Sequence, residues 1–78
     1  MTHFTQWPRA SVTLKRGPIT LWAGRDATGR ITVMKRWGGE ENAIGGERFD
    51  DVADAQVWVM RKTQSFNLAE WVGLVLKD

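Results

Sequence analysis

The sequence predicts an α+β fold, with a four-stranded antiparallel sheet followed by two C-terminal helices that pack on one of its faces. Apolar and polar residues alternate with a period of two through the first half of the chain, as in half-buried strands. Short segments rich in Gly, Pro or Asp separate these runs and are typical of hairpin connections. In the second half, apolar residues recur every three or four positions, which indicates amphipathic helices.

The alternating runs give the bounds of the predicted strands. We predict strands over residues 11–15, 19–22, 30–37 and 43–49. The last of these is the weakest, because Gly45 and Gly46 interrupt it. The segments 16–18 and 25–29 contain Gly with Pro or Asp, so we expect turns there.

Each predicted helix has a capping residue and a stripe that would face the sheet. Asp50 or Asp51 is expected to cap the first helix and Asn67 the second, because short polar side chains accept hydrogen bonds from the free N–H groups of a first helical turn. The first stripe contains Val52, Ala55, Gln56, Val59 and Met60, and the second contains Leu68, Trp71, Val72, Val75 and Leu76. A final strand over 71–76 is the alternative for the last segment.

Composition predicts a single domain over residues 1–78. There is no Cys, so packing rather than disulfides or thiolate metal sites must stabilise it. No apolar run approaches the roughly 18 residues of a membrane helix, and the first residues lack the pattern of a secretory signal. We therefore expect a cytoplasmic protein of the host cell that makes no membrane contact. The net charge of +2 is small for a nucleic-acid-binding domain.

Groups that could perform catalysis or hold a metal are scarce. His3 is the only His, and we expect it to be solvated rather than a ligand. Asp50, Asp51 and Asp54 lie at a predicted helix start, where the helix dipole favours negative charge, so capping explains them better than a cation site. The Gly pairs are not followed by the Gly-Lys-Ser/Thr of a phosphate loop. We predict no enzymatic activity, no catalytic residue, no metal and no cofactor.

The sheet face turned away from the helices is where we expect function. If Ile19, Leu21, Ile31 and Val33 face the helices, alternation turns Thr20, Trp22, Thr32, Met34 and Arg36 to the opposite face and into water. Trp and Arg often anchor interfaces, and Met suits adaptable contacts. The predicted partner-binding residues are Trp7, Trp22, Arg30, Thr32, Met34 and Arg36. The alternative is that Trp22 and Met34 form a cross-strand pair without a role in binding.

The remaining tryptophans are expected nearer the core. Trp37 ends a strand on the core side, and Trp71 lies on the second helical stripe. Trp58 lies off the first stripe, and the sequence leaves open whether it flanks the core or is exposed.

The strand-like runs 19–22 and 30–33, and the segment 43–51 leading into a helix with Trp58, resemble a family of small phage anti-CRISPR proteins. That family inhibits the type I-F (Csy) surveillance complex by binding its repeated backbone subunit. The best match covers 44–59, and a looser one runs from about residue 19 to the end of the chain. The family's aromatic contacts fall here at Trp7 and Trp22, whereas Arg36 stands where the family has an acidic contact.

The resemblance implies a function as well as a fold of four antiparallel strands and two helices. The partner would be a protein, either the backbone subunit of a CRISPR effector or another host defence protein. Docking would sterically block pairing of target DNA with the guide. We expect the inhibitor to be a monomer.

Two other functions are kept as alternatives. One is a DNA-binding three-stranded sheet of the integrase-arm type, in which Lys15, Arg25, Arg30, Arg36 and Arg48 would contact the nucleic acid. The small net charge and the second amphipathic helix count against it. The other is an assembly protein that forms homodimers through the face containing Trp22.

Overall fold

Four strands precede two helices along the chain, as the sequence predicts. The computed structural model describes residues 7–38 and 45–77. Its elements are β1 (Arg9–Leu14), β2 (Gly17–Arg25), β3 (Ile31–Trp37), β4 (Gly45–Phe49), α1 (Val52–Thr63) and α2 (Phe66–Val75). The helix over the last segment rules out the alternative strand at 71–76. His3, Glu40, Glu41 and the first two residues of the predicted 43–49 strand lie outside the described residues.

The strands form one antiparallel sheet in the order β1-β2-β3-β4, so every strand pairs with its neighbour in sequence. Glycines have positive φ at the β1–β2 and β2–β3 connections, Gly17 at the first position of β2 with 132° and Gly29 in the turn before β3 with 86°. Residues with a side chain rarely adopt these conformations, which explains why glycine stands at both positions. β2 is longer at both ends than the predicted 19–22 strand.

The core lies between the helices and one face of the sheet. Ile19, Leu21, Ile31 and Val33 are almost completely buried there, which confirms the predicted parity of β2 and β3. The helices contribute Ala55, Val59, Leu68, Ala69 and Val72 to the same cluster, and Leu76 joins it directly after α2. Burying a large aliphatic side chain contributes about 1.5–3 kcal/mol before entropy is counted. Packing between these two layers is therefore the main source of stability.

Three of the tryptophans belong to this side of the sheet. Trp37 is buried in the core cluster, and Trp71 is half-buried against it. Trp58, whose place the sequence left open, is half-buried and packs against the core, with its ring centroid 5.8 Å from that of Phe49.

The helix caps correct one prediction. Asp51 caps α1 and accepts a hydrogen bond from the backbone N–H of Ala53 at 3.0 Å. The prediction that Asn67 caps the second helix is wrong, because Ser65 caps α2 and accepts from the N–H of Leu68 at 3.2 Å. The reason lies in the preceding turn, where the left-handed Gln64 ends α1 and leaves Ser65 extended at the start of α2.

Replacing Ser65 with Ala should therefore lower the free energy of unfolding by about 1 kcal/mol, since one backbone N–H loses its acceptor. The matched substitution Asn67→Ala should change it by no more than about 0.5 kcal/mol. Urea denaturation of the two variants and the native chain measures both effects. A larger loss in Asn67→Ala than in Ser65→Ala would contradict this assignment of the cap.

Candidate binding surface on the open face of the sheet

The sheet face opposite the helices is built from alternate residues of all four strands. Cross-strand register arranges most of them in three rows, which are Ser11, Thr20 and Arg36; Arg9, Trp22, Met34 and Gly46; and Gly24, Thr32 and Arg48. Thr13 and Pro18 pair beyond the first row. We call the surface of these residues the open face, because none of them belongs to the core cluster formed with α1 and α2. The predicted directions of Trp22, Thr32, Met34 and Arg36, away from the helices, agree with this register.

The prediction that the Trp22 indole lies in water is wrong. The residue is on the open face, yet only 3% of it is exposed. The guanidinium of Arg36 lies over its ring at 5.6 Å from the centroid. Arg9 and Met34 are its direct cross-strand neighbours, and long side chains of this kind cover apolar surface with their stems. The Trp22 side chain therefore lies buried beneath the surface of the open face and does not project into solvent.

Trp7 also lies over the open face. A Cβ atom added at Gly24 would overlap the indole of Trp7, so this ring lies directly above the glycine. The segment before β1 is held beside β2 by a hydrogen bond from the N–H of Ala23 to the carbonyl of Pro8 at 3.2 Å. Trp7 is half-buried, and it therefore presents part of its ring to solvent. A glycine inside a strand signals such a close approach, and this signal in the sequence was missed.

A second close approach forms a shallow depression at the other edge of the open face. A Cβ atom at Gly46 would overlap the thioether of Met34, so the Met34 side chain crosses β4 at that point. The depression has a volume of about 390 Å³ and is lined by Thr32, Met34, Gly46, Glu47 and Arg48. The half-buried Met34 thus combines an adaptable apolar side chain with an accessible concave surface.

The charged residues of the three rows have one sign, whereas the acidic Glu47 lines the depression beside them. The three rows contain Arg9, Arg36 and Arg48 and no acidic residue. Within residues 7–38 and 45–77, Arg48 is the one arginine of the rows with an ion-pair partner, its Nε lying 3.7 Å from a carboxylate oxygen of Asp26 at the end of the sheet. The electrostatic field of the face therefore favours an acidic partner surface or a phosphate backbone.

Arg30, a predicted contact residue, is not part of these rows. It precedes β3, and its Nε donates to a carboxylate oxygen of Asp50 at 3.0 Å. Both side chains are largely exposed, so this ion pair adds little to stability. The structure thus places Trp7, Trp22, Thr32, Met34 and Arg36 on one surface and Arg30 in an ion pair at the end of the sheet.

The β2–β3 connection is ordered by the carboxylate of Asp26. The hydroxyl of Thr28 donates to it, as do the backbone N–H groups of Thr28 and Arg30 at 2.9 and 3.1 Å. The hydrogen bond from the Thr28 side chain is the largest of several effects that lower the pKa of Asp26, and the charge of Arg48 adds to it. The loop that borders the open face is therefore fixed by an ionised group.

Comparison of the chain with family models, with curated proteins and with solved structures finds no match. Within residues 7–38 and 45–77, no group of three acidic or His side chains is placed to hold a metal ion. Neither helix in that part of the chain is long and apolar enough to cross a membrane. The function must therefore be argued from the open face itself.

Replacing Trp22 with Ala should lower the free energy of unfolding by about 3 kcal/mol, because it empties a nearly closed space on the open face. Trp22→Phe keeps an aromatic ring there and should lose less. Urea denaturation followed by circular dichroism measures both. An unfolding midpoint of Trp22→Ala equal to that of the native chain would show that the indole is not buried.

The pH dependence of stability tests the ionised loop. The folded pKa of Asp26 lies below its ordinary value of 3.8, so the stability that Asp26 contributes is present above that value and is lost as the pH falls through the folded pKa. Asp26→Asn keeps an oxygen acceptor but cannot titrate. Between neutral pH and about pH 3, the free energy of unfolding should fall less in this variant than in the native chain. Equal falls would contradict the role of the carboxylate.

Proposed function

We propose that this chain is a non-enzymatic inhibitor that docks its open face on a protein subunit of a type I CRISPR surveillance complex and sterically blocks pairing of target DNA with the guide. The observation that carries the proposal is a sheet face that neither helix covers and that combines apolar and arginine side chains. The resemblance of residues 43–51 and the preceding strands to the type I-F inhibitors supports the choice of partner.

The composition of the open face suits a protein partner. Aromatic residues, Met and Arg are enriched at the centres of protein interfaces, and Trp7, Met34 and Arg36 supply one of each with part of the side chain accessible. The face lies on paired strands rather than on a loop, so docking would immobilise few additional backbone groups. Such a surface can inhibit by occupying a site, without any chemical step.

Trp22 would act from beneath this surface. Its buried ring lies under the guanidinium of Arg36, and a cation–π contact of this kind contributes about 0.5–1 kcal/mol at an exposed site. It would hold Arg36 ready for a partner instead of touching the partner itself. The partner surface opposite Arg36 would therefore be acidic. In the resembling family the inhibitor itself has an acidic residue at this position, so the charge of the contact residue is reversed here.

The DNA-binding alternative is favoured by one observation, namely that every charged residue of the three rows is an arginine. Phosphate contacts make affinity fall steeply with salt, whereas docking through Trp7 and Met34 would be less sensitive. Binding of the native chain and of Arg36→Glu, measured at two salt concentrations with the purified surveillance complex and with bare duplex DNA, separates the two functions, because only DNA binding by the open face makes duplex affinity depend on Arg36.

Met34→Glu should lower the affinity for the purified type I-F complex at least about tenfold, because it places a charge in the apolar part of the open face. Leu74→Glu is the matched control, since Leu74 is an exposed apolar residue of α2 on the other side of the molecule. Biolayer interferometry measures affinity, and circular dichroism verifies folding.

Two results would contradict the proposal. Equal losses in Met34→Glu and Leu74→Glu would exclude the open face as the docking surface. No binding of the native chain to the complex, together with salt-dependent binding to duplex DNA that Arg36→Glu abolishes, would favour the DNA-binding alternative.

A further inference from the structure

A second surface lies at the end of the fold where β1 turns into β2 and α1 is followed by α2. A cleft of about 240 Å³ opens there, lined by Leu14, Lys15, Arg16, Trp37, Lys62, Thr63 and Gln64. We call it the basic cleft, because three of these residues are cationic and none is acidic. A water molecule occupies about 30 Å³ in the liquid, so the cleft has room for a phosphate group. The proposed function does not use this surface.

The cations of the basic cleft are not neutralised within the described ranges of the chain. The ion pairs found there join Arg30 to Asp50 and Arg48 to Asp26, at the opposite end of the sheet. β2 runs from the cleft toward Asp26, and α1 runs from its Asp51 cap back toward Lys62. Because β2 and α1 each span the fold, Asp26 and the Asp51 cap lie at one end of the molecule and the cleft lies at the other. A concave surface with one sign of charge concentrates anions.

Local structure alone explains only part of this cluster. Lys62 lies in the last turn of α1, where the helix dipole favours a cation whether or not a ligand binds. Lys15 and Arg16 belong to the β1–β2 connection and have no such reason to be there. Together with Lys62 from a separate element, they place three like charges around one cleft, which concentrates anions there.

Arg16 is held in a geometry that suits a phosphate. Its guanidinium lies over the buried ring of Trp37, 4.7 Å from the centroid. Contact with an aromatic face still allows the N–H groups at the guanidinium edge to donate, and this planar fork matches two phosphate oxygens. Lys15 and Lys62 add point charges to the lining of the same cleft.

We propose that the basic cleft binds a phosphate group of a nucleic-acid strand. Lys15, Arg16 and Lys62 are all exposed, so the cleft is open to a long polyanion rather than closed around a small ion. Neutralising neighbouring phosphates also releases condensed counterions, a gain that a free phosphate ion cannot provide. This inference does not depend on the proposed CRISPR partner, because it concerns the protein alone with nucleic acid.

Neighbouring cations of α1 supply a matched pair of variants. Lys62→Glu and Arg61→Glu change the net charge equally and lie in the same last helical turn, but only Lys62 lines the cleft. Fluorescence anisotropy with labelled single-stranded and duplex oligonucleotides at low salt should show an affinity loss at least about tenfold larger for Lys62→Glu than for Arg61→Glu. Lys15→Glu should resemble Lys62→Glu, and Lys62→Arg should keep the native affinity.

Each other outcome overturns the proposal. Equal losses in Lys62→Glu and Arg61→Glu would show attraction to net charge without a site. No oligonucleotide binding by the native chain at low salt would exclude nucleic acid. Amide shifts of Arg16 and Gln64 on addition of inorganic phosphate, without oligonucleotide binding, would assign the cleft to a free anion instead. Circular dichroism of every variant verifies that a loss of binding is not a loss of fold.

Discussion

The alternation of side chains along β2 is the constraint on which both faces of the sheet depend. β2 pairs with β1 on one side and β3 on the other, so its register fixes the direction of residues in all three strands. Ile19, Leu21 and Ala23 lie under the helices, and the residues between them form the open face. A shift of one residue would exchange the two sets, exposing the core and burying the polar side chains.

Burial of Trp22 without help from a helix is the main physical feature of the open face. A large aromatic ring on an uncovered sheet would normally form an exposed hydrophobic patch that promotes association. Here the Arg36 guanidinium lies over the ring, Arg9 and Met34 are its cross-strand neighbours, and Trp7 lies over nearby Gly24. The open face therefore has a buried aromatic ring beneath the guanidinium of Arg36.

Period-two and helical spacing were sufficient to predict the element order, the sheet and the parity of β2, because these follow from local pattern. The burial of Trp22 was not predictable, since it depends on which long side chains register brings beside the ring. Asn67 with Glu70 three positions later resembles a capping pattern and predicts the wrong cap, because the left-handed turn at Gln64 that places Ser65 at the start of α2 leaves no clear sign in the sequence. The basic cleft could not be predicted, because it forms only where the β1–β2 connection and the end of α1 meet in the fold.

Nuclear Overhauser effects from the indole of Trp22 test the separation of the two faces most directly. Its ring protons should show contacts with the side chains of Arg36 and Met34 and none with Val59 or Val72 of the helices. Strong contacts between the Trp22 indole and either helical valine would place the ring in the core. That result would contradict the open face and any function assigned to it.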